Sequence, residues 1–426
     1  MRQAVRKLVL PVLAACALVP AAHAAGIAVP AGADLQAAIA AAAPGDTLHL
    51  ASGIYRGNII VDKPLTLQGP ADHSAHVKGE RRGRTIWIKA SDVSVRRLTV
   101  SDSGLSLPDM DAGIFLERDF KRALIEDNVI VDNSVGVYVW GAIDALVRGN
   151  RIVGNNELRR NERGNGVTVW NAPGSRILDN DISQGRDGIY SNVSKQNVFA
   201  GNRFSKLRYA VHYMYTNDSE VSNNVSVDNE IAYALMFSSN LTVRGNIGVG
   251  SSEQGLNFNA TQYSTVEGNV LEGGKRCMFL YNSNFNRIAD NVFRGCEVGV
   301  HYTAGSEGNR ISGNIFMDNR NQVKYVGTRY LEWSHEGRGN YWSDHSGFDL
   351  DGDGIADTAY RPNDIIDQVV WRAPAARLLI NSPAVAMVRW AQTQFPAILP
   401  GGVVDSAPLM VAPDTPALRR FEVLQP

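Results

Sequence analysis

Charge of one sign is what this sequence lacks most plainly. Its 42 Lys and Arg stand against 43 Asp and Glu, which removes the electrostatic case for a nucleic-acid partner or a strongly anionic substrate. Cysteine is scarce too. Of three cysteines, Cys16 lies in the N-terminal segment, so no cysteine-rich zinc site or dense disulfide framework can be built. Beyond that segment no apolar run is long enough to cross a bilayer. The repeated part of the chain also lacks the 3.6-residue period of amphipathic helices.

What is present is an asparagine that keeps returning. Asn128, Asn150, Asn180, Asn202, Asn224, Asn246, Asn269, Asn291, Asn314 and Asn340 are separated by 22, 30, 22, 22, 22, 23, 22, 23 and 26 positions. The long interval contains an extra polar segment, Glu157 to Glu162, which reads as a loop insertion. A fixed period of this size marks a solenoid. Each repeat holds short runs of alternating apolar and polar residues bounded by Gly, Asn, Asp and Ser, a strand pattern. The expected fold is therefore all-β, a right-handed parallel β-helix whose coils pair edge to edge about 4.8 Å apart. Asparagine suits the corner because it tolerates the left-handed conformation and its amide both donates and accepts. Stacked amides should satisfy one another as a ladder.

Three segments are expected. Residues 1–24 carry a signal peptide: Arg2, Arg6 and Lys7, an apolar stretch from Leu8, and a small-x-small cleavage site at Ala22 and Ala24. Leu13 to Cys16 also resembles a lipobox, so lipidation at Cys16 stays open; either way the chain is exported, and the periplasm is the expected compartment. Residues 25–344 form the β-helix. A short helix with Asp34 near its N-cap should cover the first rung and shield its unpaired edge. Residues 345–426 are a C-terminal acidic loop, a helix opened by Ser382 and Pro383, and a docking tail that is extended beyond Gly401. Cys277 and Cys296 lie nearly one coil apart, so an oxidising compartment permits a disulfide; two buried thiols is the alternative.

Aligning the coils on the Gly or Ala that opens the main strand gives Gly188, Ala210, Ala234, Gly255, Cys277 and Gly299. The next position and the third form apolar columns, which include Phe237 and should point inward. The second position then carries Tyr190, His212, Met236, Asn257, Phe279 and His301 on the outer face, and the fourth carries Met214. Imidazole and thioether side chains in this arrangement suit Cu(I), and the absence of carboxylates argues against hard ions. His212, Met214 and Met236 are the expected copper ligands. A patch of aromatic and Met residues suits protein docking equally well, with Tyr190, Phe279 and His301 as contacts.

The strings Arg208 to Ser219 (RYAVHYMYTNDS), Gly339 to Asp344 (GNYWSD) and Asp349 to Asp357 (DLDGDGIAD) resemble the NosD family of periplasmic copper-processing proteins. The resemblance spans nearly the whole mature chain. It implies a non-enzymatic component of an ABC transporter with a membrane permease and a cytoplasmic ATPase. Copper would pass from a copper-chaperone lipoprotein to nitrous oxide reductase. Trp371, Trp390 and Phe395 are the expected permease contacts. Asp349, Asp351, Asp353 and Asp357 space their oxygens like the first half of a calcium loop, although position twelve is Tyr360 rather than Glu. The rival reading is a polysaccharide lyase, epimerase or hydrolase, or a carbohydrate-binding protein, because the fold alone does not assign function. Glycoside hydrolysis needs two carboxylates across a groove, and the aligned columns offer none.

Overall fold

The structure is a computed structural model that describes residues 25–424 except 304, 363–365, 367–368, 370–372, 380–381 and 396–400. The expected signal peptide over residues 1–24, with Cys16, falls outside the described residues. A right-handed parallel β-helix of about 14 turns runs along the chain. Three long parallel sheets, of 13, 13 and 12 strands, form its sides. Each coil contributes one strand to each: Val198–Ala200 to sheet 1, Arg203–Ser205 to sheet 2 and Tyr209–Asn217 to sheet 3. Strand pairing follows the coil repeat, so that Val198 partners Glu220 and Arg203 partners Val225. The core is the stack of inward side chains, including Ile177, Phe199, Val221 and Val243 from sheet 1 and Ile189, Val211, Tyr233 and Leu256 from sheet 3.

The asparagine ladder stands at the corner between sheets 1 and 2. Asn246 shows its wiring. Its Nδ2 donates to Val221 O (2.8 Å) and Asn269 Oδ1 (2.9 Å), while its Oδ1 accepts from Asn224 N (3.1 Å) and Asn224 Nδ2 (3.0 Å). The same links run from Asn128 to Asn340, so a buried polar row stays fully paired, as a low-dielectric interior requires. The row ends on a carboxylate: Asp405 Oδ2 accepts from Asn340 N (2.7 Å), Asn340 Nδ2 (3.2 Å) and Trp342 Nε1 (2.8 Å).

Both ends are covered. Helix α1 (Leu35–Ala41) begins at Asp34, which accepts from Ala37 N at 3.0 Å, and buries Leu35 and Ile39 on the first coils. Helix α2 (Pro383–Gln394) starts at Ser382 with Pro383 in its first turn. The stretch after Gly401 is not an extended tail. Gly402–Val404 pairs with Tyr330–Glu332, and helix α3 (Pro416–Leu424) folds back along the rod. Its Phe421 packs on Ile247, Val270, Val292 and Ile315, and its Arg420 donates to Gly245 O and Asn223 O. The outer side of sheet 2 turns apolar in these coils, and burying that stripe drives the tail onto it.

Candidate metal-handling face

Sheet 3 presents the face on which His212 and the methionines lie. Strand entry is sharp here. A Cβ on Gly188 would stand 2.4 Å from Ala210 O, so only the smallest residues fit that column. Ile231 pairs with Tyr209 and Tyr233 with Val211, which makes Ala232, not Ala234, the counterpart of Ala210. The expected alignment was therefore two residues out in this one coil. The run Ala232-Tyr-Ala234 offers two small residues, of which Ala232 sits in the opening column. The distance from the ladder carried the right answer: Asn202 to Ala210 and Asn224 to Ala232 are both eight positions.

A two-residue shift preserves the face, so Met236 remains outward and half-buried, but its neighbours change. Met236 pairs directly with Met214, and Ala234 pairs with His212. Phe237 moves from the expected inward column to an exposed corner, 40% accessible, where it stacks on Tyr215. The corrected second-position column is Tyr190, His212, Ala234, Asn257, Phe279 and His301. Ala234 faces outward yet is fully buried, so longer side chains close over it. Beside it Asn257, 8% exposed, keeps an Oδ1 with no partner among the described residues, as does Asn192 across from Met214.

His212 is held by a residue that the column reading missed. Its Nδ1 lies 3.0 Å from Asp187 Oδ2. Asp187, 2% exposed, also takes both donors of Arg208, Nε at 2.8 Å and Nη2 at 2.7 Å. Burial pushes the Asp187 carboxyl up, but the hydrogen bonds from His212 and Arg208 outweigh it and hold it below the ordinary value. The rings of Tyr190 and Tyr209 pack on the imidazole at 5.0 and 4.9 Å. Asp187 stands just before the opening glycine, outside the columns of the outer face. An acidic residue next to an obligatory glycine was the signal available.

Phe279 and His301 meet edge to face at 5.1 Å. Burial, then Lys324 and Arg276, push the His301 imidazole down to about 4, and its Nδ1 has no hydrogen-bond partner among the described residues. Asp349, Asp351 and Asp353 bring oxygens within 4.8 Å of one another. Asp357 is not among them; its Oδ2 accepts from Leu350 N at 2.8 Å. Trp390 and Phe395 are exposed, and Trp371 lies outside the described residues. Cys277 and Cys296 form a disulfide, which removes the free-thiol alternative.

Residues 148–347 match the family model described as "Periplasmic copper-binding protein (NosD)". The chain is 40% identical over 380 residues to the "Probable ABC transporter binding protein NosD" of Stutzerimonas stutzeri, covering 86% of this chain and 87% of the relative. It is also 40% identical to the protein of the same name from Pseudomonas aeruginosa, covering 85% and 88%. Among solved structures it is similar to the A-module of Azotobacter vinelandii mannuronan C-5 epimerase AlgE6. That likeness has a TM-score of 0.56 at 16% identity, covers 70% of this chain and 93% of that one, and concerns the fold alone.

Proposed function

Since the chain belongs to the NosD family, we propose that it is the periplasmic part of an ABC-type copper-delivery assembly that matures the copper sites of nitrous oxide reductase. Copper is cargo in this reading. It arrives as Cu(I) from a copper-chaperone lipoprotein, rests on His212, Met214 and Met236, and leaves for the reductase. A permease in the membrane and a cytoplasmic ATPase drive the exchange. Tyr190, Phe279 and His301 border the handover face, and Trp371, Trp390 and Phe395 on the C-terminal arm contact the permease. The acidic loop from Asp349 to Asp357 takes calcium as a structural ion.

The pairing of Met214 with Met236 beside His212 carries this reading. Two thioethers about 4.8 Å apart at the backbone, next to an imidazole, make a soft donor set that favours Cu(I) over hard or borderline ions. No charged residue occupies the second or fourth positions from Tyr190 to Thr303. The paired carboxylates of glycoside hydrolysis have no counterpart in those columns, so we read the protein as non-enzymatic.

The test is a Cu(I) competition titration with a chromophoric chelator, comparing the wild type with Met214→Leu, Met236→Leu and His212→Ala. Each variant is expected to lose at least about tenfold in affinity, by analogy with other metal-site changes. The Leu variants should keep wild-type melting, since Met and Leu are close in volume. Wild-type affinity in all three would remove the site.

A further inference from the structure

The copper reading leaves open how a histidine between two tyrosines presents a lone pair to a metal. An imidazole has two nitrogens, and in its neutral form one is a donor and the other an acceptor. Which one binds metal is set by the hydrogen bond that the other makes. Here a carboxylate faces Nδ1, and a carboxylate can only accept. Nδ1 must therefore carry the hydrogen, which leaves the lone pair on Nε2.

We infer that Asp187 is a positioning residue that fixes His212 in the Nδ1–H tautomer and turns Nε2 toward the copper cargo beside Met214 and Met236. The inference rests on the proposed copper site and adds the residues that orient it. Three observations support it. Asp187 is buried and engages His212 at 3.0 Å from the preceding coil. Arg208 grips the same carboxylate through two donors, so a permanent counter-ion holds Asp187 ionised and able only to accept. Tyr190 and Tyr209 pack on the ring at 52° and 89°, which restricts its rotation. Carboxylate–histidine pairs of this kind recur behind metal-binding histidines, where they fix ring orientation and raise ligand basicity.

Arg208 also sharpens the test. In Asp187→Asn a single oxygen replaces two, and the Arg208 guanidinium, a donor only, claims it. The new amide NH2 then faces His212 Nδ1, which must turn acceptor. The hydrogen moves to Nε2, and the lone pair is withdrawn from the metal.

The tautomer is read directly by 15N NMR of full-length copper-free protein labelled at histidine, with resonances assigned by loss in His212→Ala. Wild type should show Nδ1 protonated, and Asp187→Asn should show Nε2 protonated. Cu(I) affinity, read by chelator competition, should fall about 10- to 100-fold in Asp187→Asn. It should fall no further when Asp187→Asn is added to His212→Ala, because the two residues act through one ligand.

An Nε2–H tautomer in the wild type overturns the inference, and that measurement needs no variant to fold. An Asp187→Asn loss of equal size with and without His212 also overturns it, since that outcome marks general destabilisation. The copper site itself fails in a different way: His212→Ala would bind Cu(I) like the wild type, while the wild type still shows the Nδ1–H tautomer.

Discussion

Phe237 stacks on Tyr215 with ring centroids 5.3 Å apart, and both residues hold left-handed backbones, φ 50° and 53°. The same corner carries Asn171 and Asn282 in other coils, the residue type that tolerates this conformation. Large side chains there are costly, and the two aromatic residues directly follow Met214 and Met236.

Val193 occupies that corner one coil earlier, with φ 50° and 52% of its surface exposed. A β-branched residue in the left-handed region costs about 1–3 kcal/mol, and its exposed side chain offsets little of this. Val193→Asn should therefore raise stability by about 1 kcal/mol, measured as a shift in the denaturant midpoint at unchanged slope. A loss of stability would mean that the Val193 side chain packs better than its exposure implies.

Acidification should weaken the fold through His301. Its folded value, about 4, lies below the ordinary 6.5, so the unfolded chain takes up the proton first. Stability is complete above pH 6.5 and is lost as the pH falls toward 4. His301→Gln should flatten that part of the profile. Denaturation series at pH 7, 5.5 and 4.5 on both proteins would show the difference.

The Cys277–Cys296 disulfide closes a loop with a sequence separation of 19. On the chain-entropy estimate, a loop of this size contributes about 3 kcal/mol. The double variant Cys277→Ser/Cys296→Ser should unfold at correspondingly lower denaturant. Added reductant should lower the wild type toward the same midpoint and leave the variant unmoved.

The end of the asparagine row is a further point of weakness. Asp405→Ala would leave Asn340 N, Trp342 Nε1 and Ala407 N without their acceptor in the interior, while Asn340 Nδ2 keeps Trp333 O and Ile311 O. Each buried unpaired donor costs about 1–3 kcal/mol, so a loss of at least about 3 kcal/mol is expected in thermal or chemical unfolding. Asp405→Asn, which keeps one acceptor oxygen, should lose less.

The rod was legible because Asn128 to Asn340 repeat visibly and each occupies the same corner. The outer face was legible because strand alternation survives even a two-residue error, as Met236 shows. The contacts that orient His212 were less visible. Asp187 and Arg208 sit where the strand bends into sheet 3, and there alternation no longer says which way a side chain points. The fold-back of residues 402–424 left no periodic trace. Phe421 finds its place only because Ile247, Val270, Val292 and Ile315 line up three-dimensionally on a distant sheet.

The link from Asn340 to Asp405 spans 65 positions of chain. A polypeptide that appears N-terminus first can stack its early coils one upon another as they arrive. Its last rung must wait for a residue near the opposite terminus. The final coil is therefore completed by a residue that the chain reaches long after it, and a carboxylate seals the row.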